Sequence, residues 1–261
     1  MMRKPLVGTG WKMNHGVAAT EAYARRLRVL LAAQSLAALD IFVLPPFVSL
    51  SMAAREFAGS PVSIGGQTMH WDVSGAWTGE ISAPMLAEVG CRFVELAHSE
   101  RLQHFGETYD LVRLKVDAAI LAGLEPILCL GESAEDRRME QSDSVLHDQV
   151  MTALAGQTAQ TVSRVVLAYE PRWAIGGAEA AAPSYVAGRH ATLRATLVEG
   201  WGEEAAMATR IIYGGSVSPA NGAELIGLHN VDGLFIGRAA WTPEGFAAMI
   251  RIVEAATLRP Q

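Results

Sequence analysis

The sequence predicts a (β/α)8 barrel, an α/β fold of eight parallel strands with helices outside. Three observations carry this. Eight short apolar runs recur along 261 residues, most of them followed by a longer stretch of helical character. The runs are apolar without strict alternation, as strands covered on both faces are. Eight strand–helix units in a chain of this length suit one closed barrel, so the expectation is one domain over 1–261.

The runs are Leu6-Val7, Ile41 to Leu44, Val62 to Ile64, Phe93 to Leu96, Ile127 to Leu130, Val165 to Ala168, Arg210 to Tyr213 and Leu234 to Ile236. Between them, residues 18–33 place Tyr23, Leu27, Leu30 and Leu31 at helical spacing. Residues 111–122, 184–198 and 243–256 behave in the same way, and Pro183-Ser184 and Thr242-Pro243-Glu244 are helix-start signals. The rival fold, a doubly wound open sheet, needs a glycine fingerprint after its first strand. Gly8-Thr9-Gly10 stands there, but Trp11-Lys12-Met13-Asn14 follows and the fingerprint fails.

Half of the residues are hydrophobic and 18% are charged, with a formal net charge of -6. This acidic balance argues against a nucleic-acid partner, which needs a basic face. The two cysteines, Cys91 and Cys129, make no disulfide scaffold and fit a reducing compartment. The N-terminus lacks a signal-peptide core, and the apolar runs are too short for a bilayer. The expectation is a cytoplasmic protein with no membrane partner.

Residues 67–82 form a long connection between the third and fourth strands, carrying Trp71 and Trp77. Aromatic side chains on so long a loop dock on something. They either fold back on their own subunit or build an oligomer interface, where aromatics concentrate.

In a parallel barrel, functional residues lie at the C-terminal ends of the strands. Those ends supply Lys12, His98, Glu170, the turn Gly214-Gly215-Ser216 and the pair Gly237-Arg238. Glu170 at an apolar rim is either a desolvated general base, aimed by the restriction Pro171 imposes, or a salt-bridged rim carboxylate. His98 is either a neutral hydrogen-bond donor at a helix start or a capping residue. Lys12 is either a fixed cation facing the rim or a solvated charge. The other histidines show no metal-ligand spacing, so no metal such as zinc is expected. The glycine turns after strands seven and eight suit a phosphate. Taken together, base, neutral donor, cation and phosphate cradle equip the barrel for proton transfer beside a carbonyl.

The whole chain resembles the triosephosphate isomerase family. The resemblance rests on Trp11-Lys12-Met13-Asn14, Thr78-Gly79-Glu80-Ile81-Ser82, His98-Ser99-Glu100-Arg101, Phe105-Gly106-Glu107-Thr108, Cys129-Leu130-Gly131-Glu132, Ala168-Tyr169-Glu170-Pro171, Trp173-Ala174-Ile175-Gly176, Tyr213-Gly214-Gly215-Ser216 and Asp232-Gly233, all in order. It implies a cofactor-free aldose–ketose isomerase with Glu170 as base, His98 as neutral electrophile and Lys12 as cation. Glu100 would stand behind Lys12, and Cys129 beside the site. Amides of Gly176, Ser216, Gly237 and Arg238 would hold phosphate. Pro171, Trp173, Ala174 and Ile175 would belong to a mobile lid. On closing, Tyr213 and Ser216 would bond lid amides near Ala181 and Ala178. Thr78, Glu80 and Arg101 would lie in a homodimer interface, with Arg101 and Glu80 paired across it.

Four features depart from the family pattern. Gly10 replaces an asparagine before the Trp-Lys pair, and Leu102 replaces a second arginine. Gly237-Arg238 replaces Gly-Gly. The lid has Glu179 for a lysine and Ala178 for a glycine. The room at Gly10 suits one additional CH2OH group, and hence a four-carbon tetrulose phosphate rather than a triose phosphate. The opening and ending of the chain also resemble relatives that isomerise tetrulose phosphates in erythritol-type catabolism. The rival from another class is a non-catalytic barrel that binds phosphorylated metabolites; it has no need of a base.

Overall fold

The computed structural model describes residues 3–32, 36–175 and 180–257. Eight parallel strands close in sequence order. They are β1 (Leu6–Gly10), β2 (Asp40–Leu44), β3 (Val62–Gly66), β4 (Phe93–Leu96), β5 (Glu125–Leu130), β6 (Val166–Tyr169), β7 (Arg210–Tyr213) and β8 (Gly233–Ile236). β1 closes the cylinder by pairing with both β2 and β8.

Successive strand residues point to opposite faces, and both faces are apolar here. Leu6, Phe42, Phe93, Val166, Ala168, Ile212 and Phe235 belong to the cluster filling the cylinder. Their neighbours Val7, Ile41, Val43, Val94, Leu167, Ile211 and Leu234 join Leu27, Leu31, Leu193 and Phe246 of the helices in a second cluster outside it. This double burial explains why the runs do not alternate with polar residues. The parity also places Gly8 and Gly10 inward. A Cβ at Gly8 would stand 2.1 Å from the Phe42 ring, so the missing side chain is what lets Phe42 fill the barrel.

The opposite, N-terminal end of the barrel is tied by ions. Asp40 pairs with Lys4, Arg92 and Arg210, and Glu125 pairs with Arg92 and Arg210, all at 2.7–3.0 Å. Such a network bears on stability, since barrel chemistry sits at the other end.

The expected helices form as Val17–Leu31, Tyr109–Leu121, Pro183–Ala208 and Pro243–Thr257. The third runs further than 184–198. It breaks at Gly202, whose φ of 83° and ψ of 167° lie outside helical space, and resumes to bury Ala205 and Ala206. Helices Phe47–Phe57 and Ser142–Ala153 also form.

In residues 67–82 the aromatics stack within their own loop. The His70 ring lies 4.0 Å from Trp71 and 4.3 Å from Trp77, and Trp77 Nε1 donates to Asp72 at 2.7 Å. The cluster is not sealed, because Trp77 remains 46% exposed.

Candidate active site

The mouth formed by the C-terminal strand ends opens on a cavity of about 700 Å3. Gly10, Lys12, Glu95, His98, Glu100, Glu170, Ser216, Gly237 and Arg238 all line it. Lys12, His98 and Glu170 thus reach one space from β1, β4 and β6.

Lys12 follows β1 in a left-handed conformation, with φ of 53°. For a residue with a Cβ this disfavours the fold by about 1–2 kcal/mol, so the surroundings must impose it. Gln67 does so from the end of β3: its Nε2 donates to the carbonyls of Lys12 and Leu44, each at 2.9 Å. Lys12 Nζ then donates to Glu100 Oε1 at 2.6 Å. Burial acts to raise the proton affinity of Glu100. The hydrogen bond from Lys12 and the charges around it outweigh that and leave its pKa lowered.

His98 caps the short helix Ser99–His104, and its Nδ1 accepts the Glu100 amide at 3.2 Å. The capping geometry is therefore present, and it leaves the other ring nitrogen free. An Nδ1 that accepts leaves the proton on Nε2. Burial, then the Lys12 charge, lowers the imidazole to a pKa of about 4, so the ring is neutral at physiological pH. Nε2 lies 3.8 Å from Glu170 Oε2, too far for a direct hydrogen bond.

Glu170 follows β6 and is 6% exposed. Its amide donates to the Leu130 carbonyl at 2.7 Å. Two glycines make room for it. A Cβ at Gly131 would stand 1.9 Å from the Glu170 carbonyl oxygen, and one at Gly214 would stand 2.6 Å from Glu170 Oε1. Glu170 Oε2 is buried without a hydrogen-bond partner among the described residues. Burial first, then repulsion from Glu95, raises its pKa well above the usual carboxylate range. A desolvated carboxylate with a free lone pair is equipped to take a proton.

Glu95 went unnoticed within an apolar run, yet it shares the inward parity of Phe93 and lines the cavity. Burial is the main reason its pKa rises to about 8. Cys129 points its Sγ at Glu95 Oε1 at 3.7 Å and is itself held protonated by burial and both carboxylates. Glu95, His98 and Glu170 each offer one ligand atom, all within 4.8 Å of one another. Linear spacing could not reveal this group, because tertiary folding brings Glu170 beside β4. A cation there would occupy the lone pair of Glu170, so metal binding and proton abstraction at this carboxylate exclude each other.

At the other end of the cavity, Ser216 and its loop are fixed by Asn221. The side chain of Asn221 donates to the Ser216 carbonyl and accepts the Ser218 amide, each at 2.8 Å. Arg238 is exposed and lines the cavity. Gly176, Ala178 and Glu179 lie outside the described residues. Ser216 Oγ donates to Ala174 O at 2.8 Å. Tyr213 Oη faces the Ala181 backbone without a hydrogen bond of good geometry. The turn expected to hinge a lid rests on buried Glu132, which accepts from Trp173 Nε1 at 2.7 Å, Tyr185 Oη at 2.8 Å and Tyr169 Oη at 3.2 Å. Pro171 leads into a single turn, Arg172–Ala174, in which Ala174 is buried, and Ile175 reaches the cavity. Thr78 and Glu80 are exposed, and within the chain Arg101 Nε lies 3.6 Å from Glu107 Oε2.

A closed parallel barrel with a cation, a neutral imidazole and a desolvated carboxylate at its mouth defines a protein of the proton-transferring isomerase class. The profile described as "Triosephosphate isomerase" matches residues 5–253, and the chain belongs to that family. An "L-erythrulose-1-phosphate isomerase" of Mycolicibacterium smegmatis is 42% identical over 257 residues, covering 98% of this chain and 94% of the relative. A "Triosephosphate isomerase" of Solibacter usitatus is 40% identical, covering 95% and 99%. Among solved structures, a triosephosphate isomerase from Bartonella henselae superposes with a TM-score of 0.86 at 32% identity, covering 96% of this chain and 99% of that one. The protein is an isomerase of this family, with relatives of both names at similar distance. No helix among the described residues is long and apolar enough to cross a membrane.

Proposed function

We propose that this isomerase moves the carbonyl of a tetrulose phosphate by one carbon, through an enediolate. The observation that carries the reading is the convergence of Lys12, His98 and Glu170 on one cavity that has room beside Gly10. Glu170 takes the proton from the carbon next to the ketone. Neutral His98 donates from Nε2 to the carbonyl oxygen as negative charge develops there. Lys12 stabilises that charge, and Glu100 holds Lys12 in place. Glu170 then returns its proton to the former carbonyl carbon while the hydroxyl on the adjacent carbon gives its proton back to His98 Nε2, which leaves the carbonyl moved by one carbon and both side chains restored. On a triose phosphate this shift yields an aldehyde. On a tetrulose 1-phosphate the carbon that gives up its proton and becomes the carbonyl bears a CH2OH group, so the product is a second ketose phosphate. The loops carrying Ser216, Gly237 and Arg238 bind the phosphate, joined by Gly176 of the lid, which turns on Pro171 and Trp173.

The tetrulose reading is supported by the missing side chain at position 10 and by the relatives named for erythrulose phosphate. Steady-state turnover on both substrates tests it: kcat/KM is expected to be higher for tetrulose phosphate, and comparable or better activity on dihydroxyacetone phosphate defeats the four-carbon assignment. Glu170→Asp tests the base. Withdrawing the carboxylate by roughly 1 Å lowers kcat on the order of a hundredfold, and an undiminished rate removes Glu170 from the mechanism.

The protein works as a cytoplasmic homodimer in this reading. Support comes from large apolar side chains exposed after β1, β3 and β4: Met13 at 96%, Trp77 at 46% and Phe105 at 67%. Thr78, Glu80 and Arg101 occupy the same loops. Sedimentation at micromolar concentration is expected to give twice the chain mass; a monomer there removes the dimer.

A further inference from the structure

The proton transfer described above uses Lys12, His98 and Glu170 but leaves Glu95 without a task. A carboxyl group inside a barrel is unfavourable unless it is paired or serves a ligand. Glu95 is 6% exposed and makes no salt bridge among the described residues, the Lys12 charge acting on it only from a distance; the Cys129 thiol lies 3.7 Å from Oε1. The other oxygen, Oε2, lies 3.8 Å from where a Cβ on Gly10 would stand, and the Phe235 ring lies 3.4 Å from the same point. The space vacated at position 10 therefore has one apolar wall, Phe235, and one hydrogen-bonding wall, Glu95. Its distance from Glu170 is also fixed, since ligand atoms of Glu95, His98 and Glu170 lie within 4.8 Å of one another.

A substrate whose phosphate sits on the loops after β7 and β8, and whose reacting carbons lie between His98 and Glu170, can extend only a short tail into this space. One carbon bearing a hydroxyl matches it: the carbon packs against Phe235 and the hydroxyl meets Glu95. We propose that Glu95 is a specificity-determining residue that hydrogen-bonds the terminal hydroxyl of a four-carbon ketose phosphate. This rests on the tetrulose reading above and deepens it.

The protonation state suits the task. Burial keeps the Glu95 carboxyl largely protonated near neutral pH. A neutral carboxyl both donates and accepts, as a hydroxyl does. It also spares Glu170 a second full negative charge at close range. Glu95 therefore acts on substrate choice without taking part in proton transfer. A triose phosphate ends short of Glu95 and leaves that hydrogen bond to water, whereas a site built around a substrate hydroxyl discriminates strongly against the analogue lacking it.

The test compares kcat/KM on a tetrulose phosphate and on dihydroxyacetone phosphate for the wild-type chain, Glu95→Leu and Glu95→Gln, with thermal unfolding to verify folding. The expected result is that the tetrulose-to-triose ratio falls roughly thirtyfold or more in Glu95→Leu, as loss of a buried hydrogen bond predicts, and recovers to within about threefold of wild type in Glu95→Gln. Equal losses on both substrates in Glu95→Leu, with wild-type turnover of tetrulose phosphate intact, overturn the proposal and leave Glu95 acting only through Glu170. A wild-type enzyme that does not turn over tetrulose phosphate overturns the substrate reading itself, and this proposal with it. A further measurement needs no variant. A 4-deoxytetrulose phosphate offered to the wild-type enzyme should lose a similar factor relative to the parent tetrulose phosphate, and a loss below about threefold overturns the proposal.

Discussion

Replacing Gly214 with alanine probes how closely the fold holds its base. Gly214 does not have a positive φ, so alanine meets no backbone penalty there. What it meets is Glu170: the new Cβ would stand 2.6 Å from Oε1 and 2.7 Å from Cγ. Ordinary contact between such atoms begins near ~3.5 Å, so the carboxylate must retreat by roughly 1 Å. The backbone cannot take up the shift. The Glu170 amide is bonded to Leu130 at 2.7 Å, and the Gly214 amide to Tyr169 at 2.9 Å. The side chain must swing instead, and a misplacement of about 1 Å lowers the rate on the order of a hundredfold, or about 2.7 kcal/mol of barrier. The loss should fall on kcat, with KM changed by less than about threefold, because the new methyl group faces Glu170. Steady-state kinetics, with circular dichroism melting to verify folding, reads this directly. A folded Gly214→Ala enzyme with kcat within about threefold of wild type would refute the reasoning.

Three further outcomes follow from the same geometry. Gly10→Asn has room for its Cβ, 3.4 Å from Phe235 and 3.8 Å from Glu95. It should shift the kcat/KM ratio toward triose phosphate by roughly tenfold, and an unmoved ratio shows that position 10 does not set substrate size. Glu95, raised from 4.5 to about 8 by burial, contributes stability that is fully present below pH 4.5 and is lost as pH rises through about 8. Stability measured by urea unfolding should therefore improve in Glu95→Gln relative to wild type, by up to a few kcal/mol as pH rises from 5 to 9; a constant difference would contradict this. A chelator should leave turnover within about twofold, while zinc ions should inhibit by capturing Glu95, His98 and Glu170. Activity that vanishes with the chelator would show that the carboxylate is a metal ligand instead of a base.

Much of the architecture was legible because apolar runs record double burial directly. The predicted strands lie within two residues of those formed, except that the first continues three residues further to Gly10, and Tyr23, Leu27 and Leu31 turn inward as their spacing requires. Boundaries were less legible. Helix resumes beyond the break at Gly202 because Ala205 and Ala206 are buried there, which no local propensity reveals. At the site, Lys12, His98 and Glu170 stood out as chemistry-bearing residues at strand ends. Their supports did not. Gln67 opens a loop, Asn221 stands before a helix of five residues, and Glu132 looks like any loop carboxylate until three hydrogen-bond donors converge on it. Glu95 was hidden for another reason: a single carboxylate in an apolar run is informative only once the parity of its strand is known.

The order of apolar and polar residues along the chain was enough to determine the barrel, the strand ends that carry chemistry and the family, since each follows from local pattern and short motifs. Only tertiary structure decided which lone pairs stay unpartnered, how deeply each carboxyl is desolvated, and that Glu95 faces the gap at Gly10. Proton affinity depends on the surrounding dielectric and on charges a few ångströms away. Those neighbours arrive from other strands, at distances set by closure of the cylinder.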